Sequence, residues 1–272
     1  MTDPIDRISP TLRPAGRVVQ RPGWHDLTFL HWRVPVAALR PLVPAALEID
    51  VFEGDAFIGL VPFTMTRVRP WWAPPLPGIN NFHETNVRTY VHHRGADPGV
   101  WFFSLDAASL LAVFAARVLW RLPYHHARMT LERSDAGVRY ASERRRPGPL
   151  PGTCRVTCRP LGEPAAARPG TLEHFLAERY LLYAIARDGS LRRGAVHHAP
   201  YPLQRAEITE CDETLIAAAG LARPGGTPIA HHASGVAVEV FALERVTWSG
   251  DSGDAPATRC ASRTPRSLPW PR

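Results

Sequence analysis

The sequence predicts an α+β domain dominated by an antiparallel sheet that curls toward a barrel. Three observations carry this. Runs such as FIGLVPF and FHETNVRTYV are long and rich in strand formers, and turn residues join them at hairpin spacing. Only two long stretches, beginning at Asp106 and Thr171, carry helical signals. Elements of both kinds in mixed order, with strands predominating, define the class.

In chain order, WHDLTFLHW (Trp24 to Trp32) alternates loosely as a strand and leads into VPVAALRPLVP, where Pro35 suits the first turn of a short helix and Pro41 and Pro44 limit its length. LEIDVFEGDAFIGLVPFTMTRVRP reads as a hairpin about Glu53-Gly54-Asp55, with a second arm so apolar up to Phe63 that it belongs in the sheet centre. WWAPPLPGINN holds too much proline for regular structure and is expected to be a loop and a rim. A strand from Phe82 to about residue 92, a turn around Gly95 to Gly99 and a returning VWFFSL form the next hairpin. Asp106 to Arg121, apolar nearly all round apart from Arg117 and Arg121, predicts a buried helix that Leu122-Pro123 ends. Residues 124 to 146 and 153 to 160 read as strands separated by RRRPGPLPG. Thr171 is placed to cap a second helix with Glu173 in its first turn, a stripe of Leu172, Phe175, Leu176, Tyr180 and Tyr183, and Gly189 at its end. HHAPYPLQRAEITE and VAVEVFALERV complete the sheet. Arg117 and Arg179, in largely apolar helices, are expected to be structural and satisfied by carboxylates or carbonyls.

At 272 residues and 45% hydrophobic content the chain can build a sizeable core, and nothing in it reads as a linker. The expected organisation is a disordered arm over 1–16, one domain over 17–247, and a disordered tail over 248–272, which is rich in Ser, Pro, Ala and Arg. No signal segment or membrane-spanning apolar run is evident, so a cytoplasmic, membrane-free protein is expected. The formal charge is +7 and all 32 basic residues are arginine; the chain is lysine-free. The arginines are scattered and accompany no helix-turn-helix, zinc finger or RNA-binding signature, so nucleic acid is not the expected partner. Cys154 and Cys158, on one face of a strand but ~13 Å apart, suit neither a disulfide nor one metal ion. Eight of the 12 histidines form adjacent pairs, and neighbours in a strand face opposite ways, so no metal is expected. Phosphate loop, dinucleotide fingerprint and nucleophile elbow are all missing, and no cofactor is expected.

The chemistry concentrates in FHETNVRTYV. With a period of two, Phe82, Glu84, Asn86, Arg88 and Tyr90 share one face, ~6.6 Å apart, and Thr85, Val87, Thr89 and Val91 share the other. A row of carboxylate, amide, guanidinium and phenol is either a solvated sheet face or the polar wall of a cavity; the apolar flanks favour the cavity.

WHDLTFLHW, FIGLVPF, FHETNVRTYV, GVWFFSLDAAS, AARVLWRLPYHHARM, GTLEHFLAERYLLY and HHAPYPLQ together resemble the uncharacterised YqjF-like branch of the acetoacetate-decarboxylase-like superfamily, over roughly Arg17 to Val246. The resemblance implies antiparallel sheets curled into a cone or barrel around an internal cavity, with two principal flanking helices. In the decarboxylase a glutamate and an arginine line that cavity beside a Schiff-base lysine, and Glu84 and Arg88 match the first two. Tyr201, in APYPLQ, stands where the branch usually has tryptophan. The lysine has no counterpart, so Schiff-base decarboxylation is excluded by composition.

The expected ligand is a small organic acid or keto compound, with Arg88 binding the acid, Asn86 and Tyr90 orienting neutral oxygens, and Glu84 as the catalytic acid or base if there is turnover. A cofactor-independent lyase, isomerase or hydratase, and a non-catalytic ligand-sensing or structural protein, both fit this sequence; a basic nucleic-acid-associated protein is a third reading. Homo-oligomer formation is compatible with all three.

Overall fold

The computed structural model describes residues 5–69, 80–135, 137–145 and 148–247. In order they form β1 (Val18–Gln20), β2 (Gly23–Val34), α1 (Val36–Leu39), β3 (Glu48–Ile49), β4 (Ala56–Thr66), β5 (Phe82–His93), β6 (Ala96–Ala107), α2 (Leu110–Ala115), β7 (Tyr124–Ser134), β8 (Gly137–Arg144), β9 (Thr153–Ala165), α3 (Leu172–Ala177), β10 (Leu181–Ile185), β11 (Leu191–His197), β12 (Leu203–Glu213), α4 (Leu215–Ala218), β13 (Ile229–Ala237), β14 (Glu239–Phe241) and β15 (Glu244–Arg245). Most of the proline-rich loop 71–81, part of the RRRPGPLPG turn, Cys260 and the expected tail 248–272 lie outside the described residues.

The turns explain how the long strands pair. Glu53 and Gly54 both take positive φ (51° and 88°), as do Arg94 and Gly95 (52° and 76°), so each pair supplies the backbone a tight two-residue hairpin needs. The first closes only an isolated bridge from Phe52 to Asp55 and not the expected hairpin, because β3 pairs with β5 at Glu48–His92 and Ile49–Val91 instead of with β4, whereas the second joins β5 to β6, with His93 facing Ala96.

Hydrogen-bonded pairing closes the sheet on itself. One ring runs β2-β4-β5-β6-β7-β8-β9-β12-β13 and returns to β2. β6 branches, pairing in parallel with β7 at Leu105–Ala107 and with β10 at Val100–Trp101. From β10 a second circuit continues through β11 to β14, and β14 follows β13 in the chain after Val238 alone, so the circuit returns to β2. The wall β2-β4-β5-β6 is thus common to both rings. Because side chains alternate, it presents one set of residues to each. The first ring is packed solid: Leu30, Leu60, Val87, Cys154 and Val156 meet inside it with Leu215 and Ile216 of α4.

Both expected helices exist but are short, at six residues each. The segment from Asp106 is not a buried helix. Asp106 and Ala107 remain in β6, opposite Thr85 and Glu84, and α2 starts only after Ser109 accepts a hydrogen bond from the Ala112 amide at 3.3 Å. A π turn follows, Ala116–Trp120, and Arg121 ends it at φ 56°. The face expected in the core is largely outside: Leu110, Phe114 and Leu119 are 65–69% exposed, and Val113 is the buried side chain of α2. Thr171 does cap α3 through the His174 amide (3.3 Å), yet the helix stops at Glu178 rather than running to Gly189. Glu178 accepts from the Tyr180 hydroxyl (2.7 Å) and the Tyr201 amide (2.9 Å), which locks the turn and delivers Leu181–Ile185 to β6 as a strand. The apolar stripe is buried on both readings; sheet pairing decides its geometry.

Residues 5–16, expected to be a disordered arm, lie against the domain. Arg7 pairs with buried Asp50, Arg13 pairs with Glu239 at 2.5 Å, and their guanidinium groups sit 5.2 Å from the Phe175 ring and 5.5 Å from the Phe241 ring. The arm is polar and proline-containing, and it docks through arginine. No helix among the described residues is long and apolar enough to cross a membrane.

Candidate functional site

β5 carries the site because its two faces meet different surroundings. Thr85, Val87 and Thr89 turn to the first ring, and Glu84, Asn86 and Arg88 turn to the second, where a cavity of about 210 Å³ remains. Val61, Phe63 and Met65 of β4 alternate toward the same space beside Leu27, Leu105, Leu182 and Val196. α2 and the π turn form a further wall with Ala112, Ala115, Ala116, Leu119 and Trp120.

Glu84 is 2% exposed. Burial is the main cause that pushes its carboxyl up to about 8, with the nearby Asp106 charge adding to it and hydrogen bonds with Tyr124 and Asn86 opposing it. The Tyr124 hydroxyl donates to Glu84 Oε2 at 2.8 Å. Burial and that carboxyl raise the Tyr124 phenol well above its ordinary value, so it remains a donor. Asp106 sits behind the wall, level with Thr85 and on the first-ring side. Burial raises Asp106 to about 6 despite its pairing with Arg144 at 2.8 Å, both side chains being fully buried.

Arg88 is buried, and among the described residues no carboxylate pairs with it. Its Nη2 donates to the Leu176 carbonyl at 3.3 Å, its Cζ lies 5.6 Å from the Phe29 ring and 5.7 Å from the Tyr90 ring, and its Nε has no hydrogen-bond partner. Asn86 Oδ1 is likewise buried without a partner. A guanidinium in such surroundings retains unused capacity for an anion.

Arg179, expected to be structural, is held by Asp50 (Nη1 to Oδ2, 2.8 Å) and by the Phe175 carbonyl (2.7 Å), and its edge also reaches the cavity. Arg117 donates to the Tyr124 carbonyl at 2.9 Å, from an exposed position and not a buried helix. Tyr90 does not join the site. Its hydroxyl donates to the Leu176 carbonyl (2.7 Å) and lies 2.6 Å from His31 Nε2, so the tyrosine braces α3 and is not among the side chains that line the cavity. Tyr124 and Tyr201 line the cavity as well, outside the set that the alternation of FHETNVRTYV points to; Tyr201 packs edge-on to Phe29 at 5.3 Å. Their placement depends on the β6–β7 pairing and on the Tyr201 amide bond to Glu178, contacts across many residues with no local pattern.

Two of the paired histidines have local partners. His198 stacks on Tyr180 at 4.4 Å, and His92 accepts from the Gly95 amide at 3.1 Å. Among the described residues no three His, Cys, Asp or Glu side chains converge as a metal site, and Cys154, Cys158 and Cys211 are free thiols.

Two rings sharing a wall, with the cavity in the second of them, give a fold similar to that of acetoacetate decarboxylase-like enzymes. Solved structures agree on the fold: an acetoacetate decarboxylase-like enzyme from Sphingomonas wittichii RW1 superposes with TM-score 0.57 at 13% identity over 87% of this chain and 98% of that one. The enduracididine biosynthesis enzyme MppR complexed with pyruvate gives 0.56 at 15% identity, over 86% and 91%. Acetoacetate decarboxylase from Legionella pneumophila gives 0.55 at 12% identity, over 87% and 94%. In sequence the chain is 38% identical over 236 residues to the uncharacterized protein YqjF of Bacillus subtilis (strain 168), covering 87% of this chain and 95% of that protein. The profile of the DUF2071 family, described as an uncharacterized conserved protein, matches residues 21–237, and the chain belongs to that family.

Proposed function

We propose that the second ring binds a small carboxylate or keto compound, anchored by Arg88, with Glu84 moving a proton without a cofactor. The observation that carries this is the buried Arg88 guanidinium with an unused Nε and no carboxylate partner among the described residues, since a buried cation gains most from an anion that completes its fork. Glu84, pushed up to about 8, is mostly protonated at neutral pH and does not cancel that charge. A carboxyl with its pKa near ambient pH can give a proton to a substrate and take one back, as lyase, isomerase and hydratase reactions require. The lysine-free sequence leaves no side-chain amine for a Schiff base. MppR, a structural neighbour, is described in complex with pyruvate, a keto acid of the proposed class.

The test is calorimetric titration of small carboxylates and keto acids, followed by product analysis of each compound that binds. Arg88→Ala should weaken an acid ligand by roughly 2 to 5 kcal/mol, while Glu84→Gln should spare binding and stop any conversion. Unchanged affinity in Arg88→Ala would sink the assignment. Binding without conversion would mark the protein as a ligand sensor.

A further inference from the structure

We infer that the acid carries an apolar body, lying under α2 while its head sits on Arg88, because the end of the cavity beyond Glu84 is walled by apolar side chains. This rests on the acid-binding reading above and adds the class of acid.

The polar groups lie in order along β5. Arg88 meets Leu176 and Phe29 at one end. Glu84 faces Ala107 at the other, where Phe82 and Ala107 pack with Val113 of α2. A ligand anchored at Arg88 and extended along the strand therefore passes Glu84 and ends beneath α2. That end is apolar, with Ala112, Ala115 and Ala116 opening the space and Leu119, Trp120 and Leu122 bounding it. An acid of two or three carbons would leave the α2 end unfilled, forfeiting dispersion contacts along that wall.

Full-length protein should be titrated with straight-chain 2-oxo acids of increasing length. Affinity should rise about fourfold for each methylene added, the factor that corresponds to ~0.8 kcal/mol per buried methylene, until the cavity is full, and then fall. Ala116→Leu, with its melting temperature checked, should move the optimum to shorter acids and leave the shortest unaffected. If acids bind but affinity is flat or falls from the first methylene, the apolar body is wrong and acid binding stands. If Ala116→Leu leaves the optimum where it was, the placement under α2 is wrong. If no acid of any length binds, the reading on which this rests fails with it.

Discussion

Tyr124 and Glu84 stand 40 positions apart in the chain and meet at 2.8 Å inside the second ring, the phenol donating to the carboxyl. The contact exists because β7 joins β6 in parallel, setting Tyr124 opposite Leu105. Of the two partners that hydrogen-bond with Glu84, Tyr124 has the larger effect in holding its pKa down against burial.

Removing that donor has a defined direction. Tyr124→Phe should move the Glu84 titration above about 8, because burial and the Asp106 charge then act with less opposition. Carbon-13 NMR of the labelled glutamate carboxyl reads the midpoint directly. A midpoint at or below that of wild type would contradict the assigned bond.

Glu84 should also tilt stability with pH. Its folded pKa lies above the unfolded value of 4.5, so the folded state holds the extra proton between 4.5 and about 8 and stability falls as pH rises through that window. The slope from this one group is roughly −1.4 kcal/mol per pH unit. Glu84→Gln removes it, so urea unfolding of the variant minus wild type should show a gain that grows from pH 5 to pH 8. A difference that is constant with pH would argue that Glu84 is not desolvated.

Tyr90→Phe should cost about 0.5 to 1.5 kcal/mol of stability by removing the hydroxyl bond to the Leu176 carbonyl, which keeps its Arg88 donor. Ligand affinity should be unchanged. Loss of affinity with stability intact would return Tyr90 to the site.

Arg144→Met should destabilise by about 3 to 5 kcal/mol, since Asp106 would be left as an uncompensated buried carboxyl. Asp106→Asn in the same background should recover part of the loss. No recovery, measured by denaturant midpoint, would show that packing and not charge is at stake.

The strand with the chemistry was legible in the sequence because its signal is local. Alternation over Phe82 to Val91 needs no partner to be seen, and Glu84, Asn86 and Arg88 do face one cavity. Tyr90 obeys the same alternation but is diverted by α3, which comes from 80 residues further on and offers the Leu176 carbonyl. The apolar run after Asp106 looked buried because periodicity reports apolar content, not whether anything covers it; α2 packs on one side and leaves Phe114 66% exposed. The stripe from Leu172 to Tyr183 fits a helix and a turn-then-strand equally well over so short a span, and hydrogen bonding from β6 settles it. Asp106–Arg144 and Glu84–Tyr124 join distant segments, and no window of sequence contains both partners.

The wall that both rings share makes β5 a partition with a different tenant on each side. Its even positions hold Glu84, Asn86 and Arg88 for the open chamber, and its odd positions hold Thr85, Val87 and Thr89 for the packed one. Exchanging an even residue alters what the chamber receives and leaves the neighbouring core intact. Deleting a single residue would rotate every later side chain through the partition, sending Arg88 toward Leu30 and Val156 and a valine into the chamber. Lineages carrying this fold are therefore free to exchange ligands by substitution along β5 but not by changing its length by one, so gaps in this strand among relatives should be absent or come in twos.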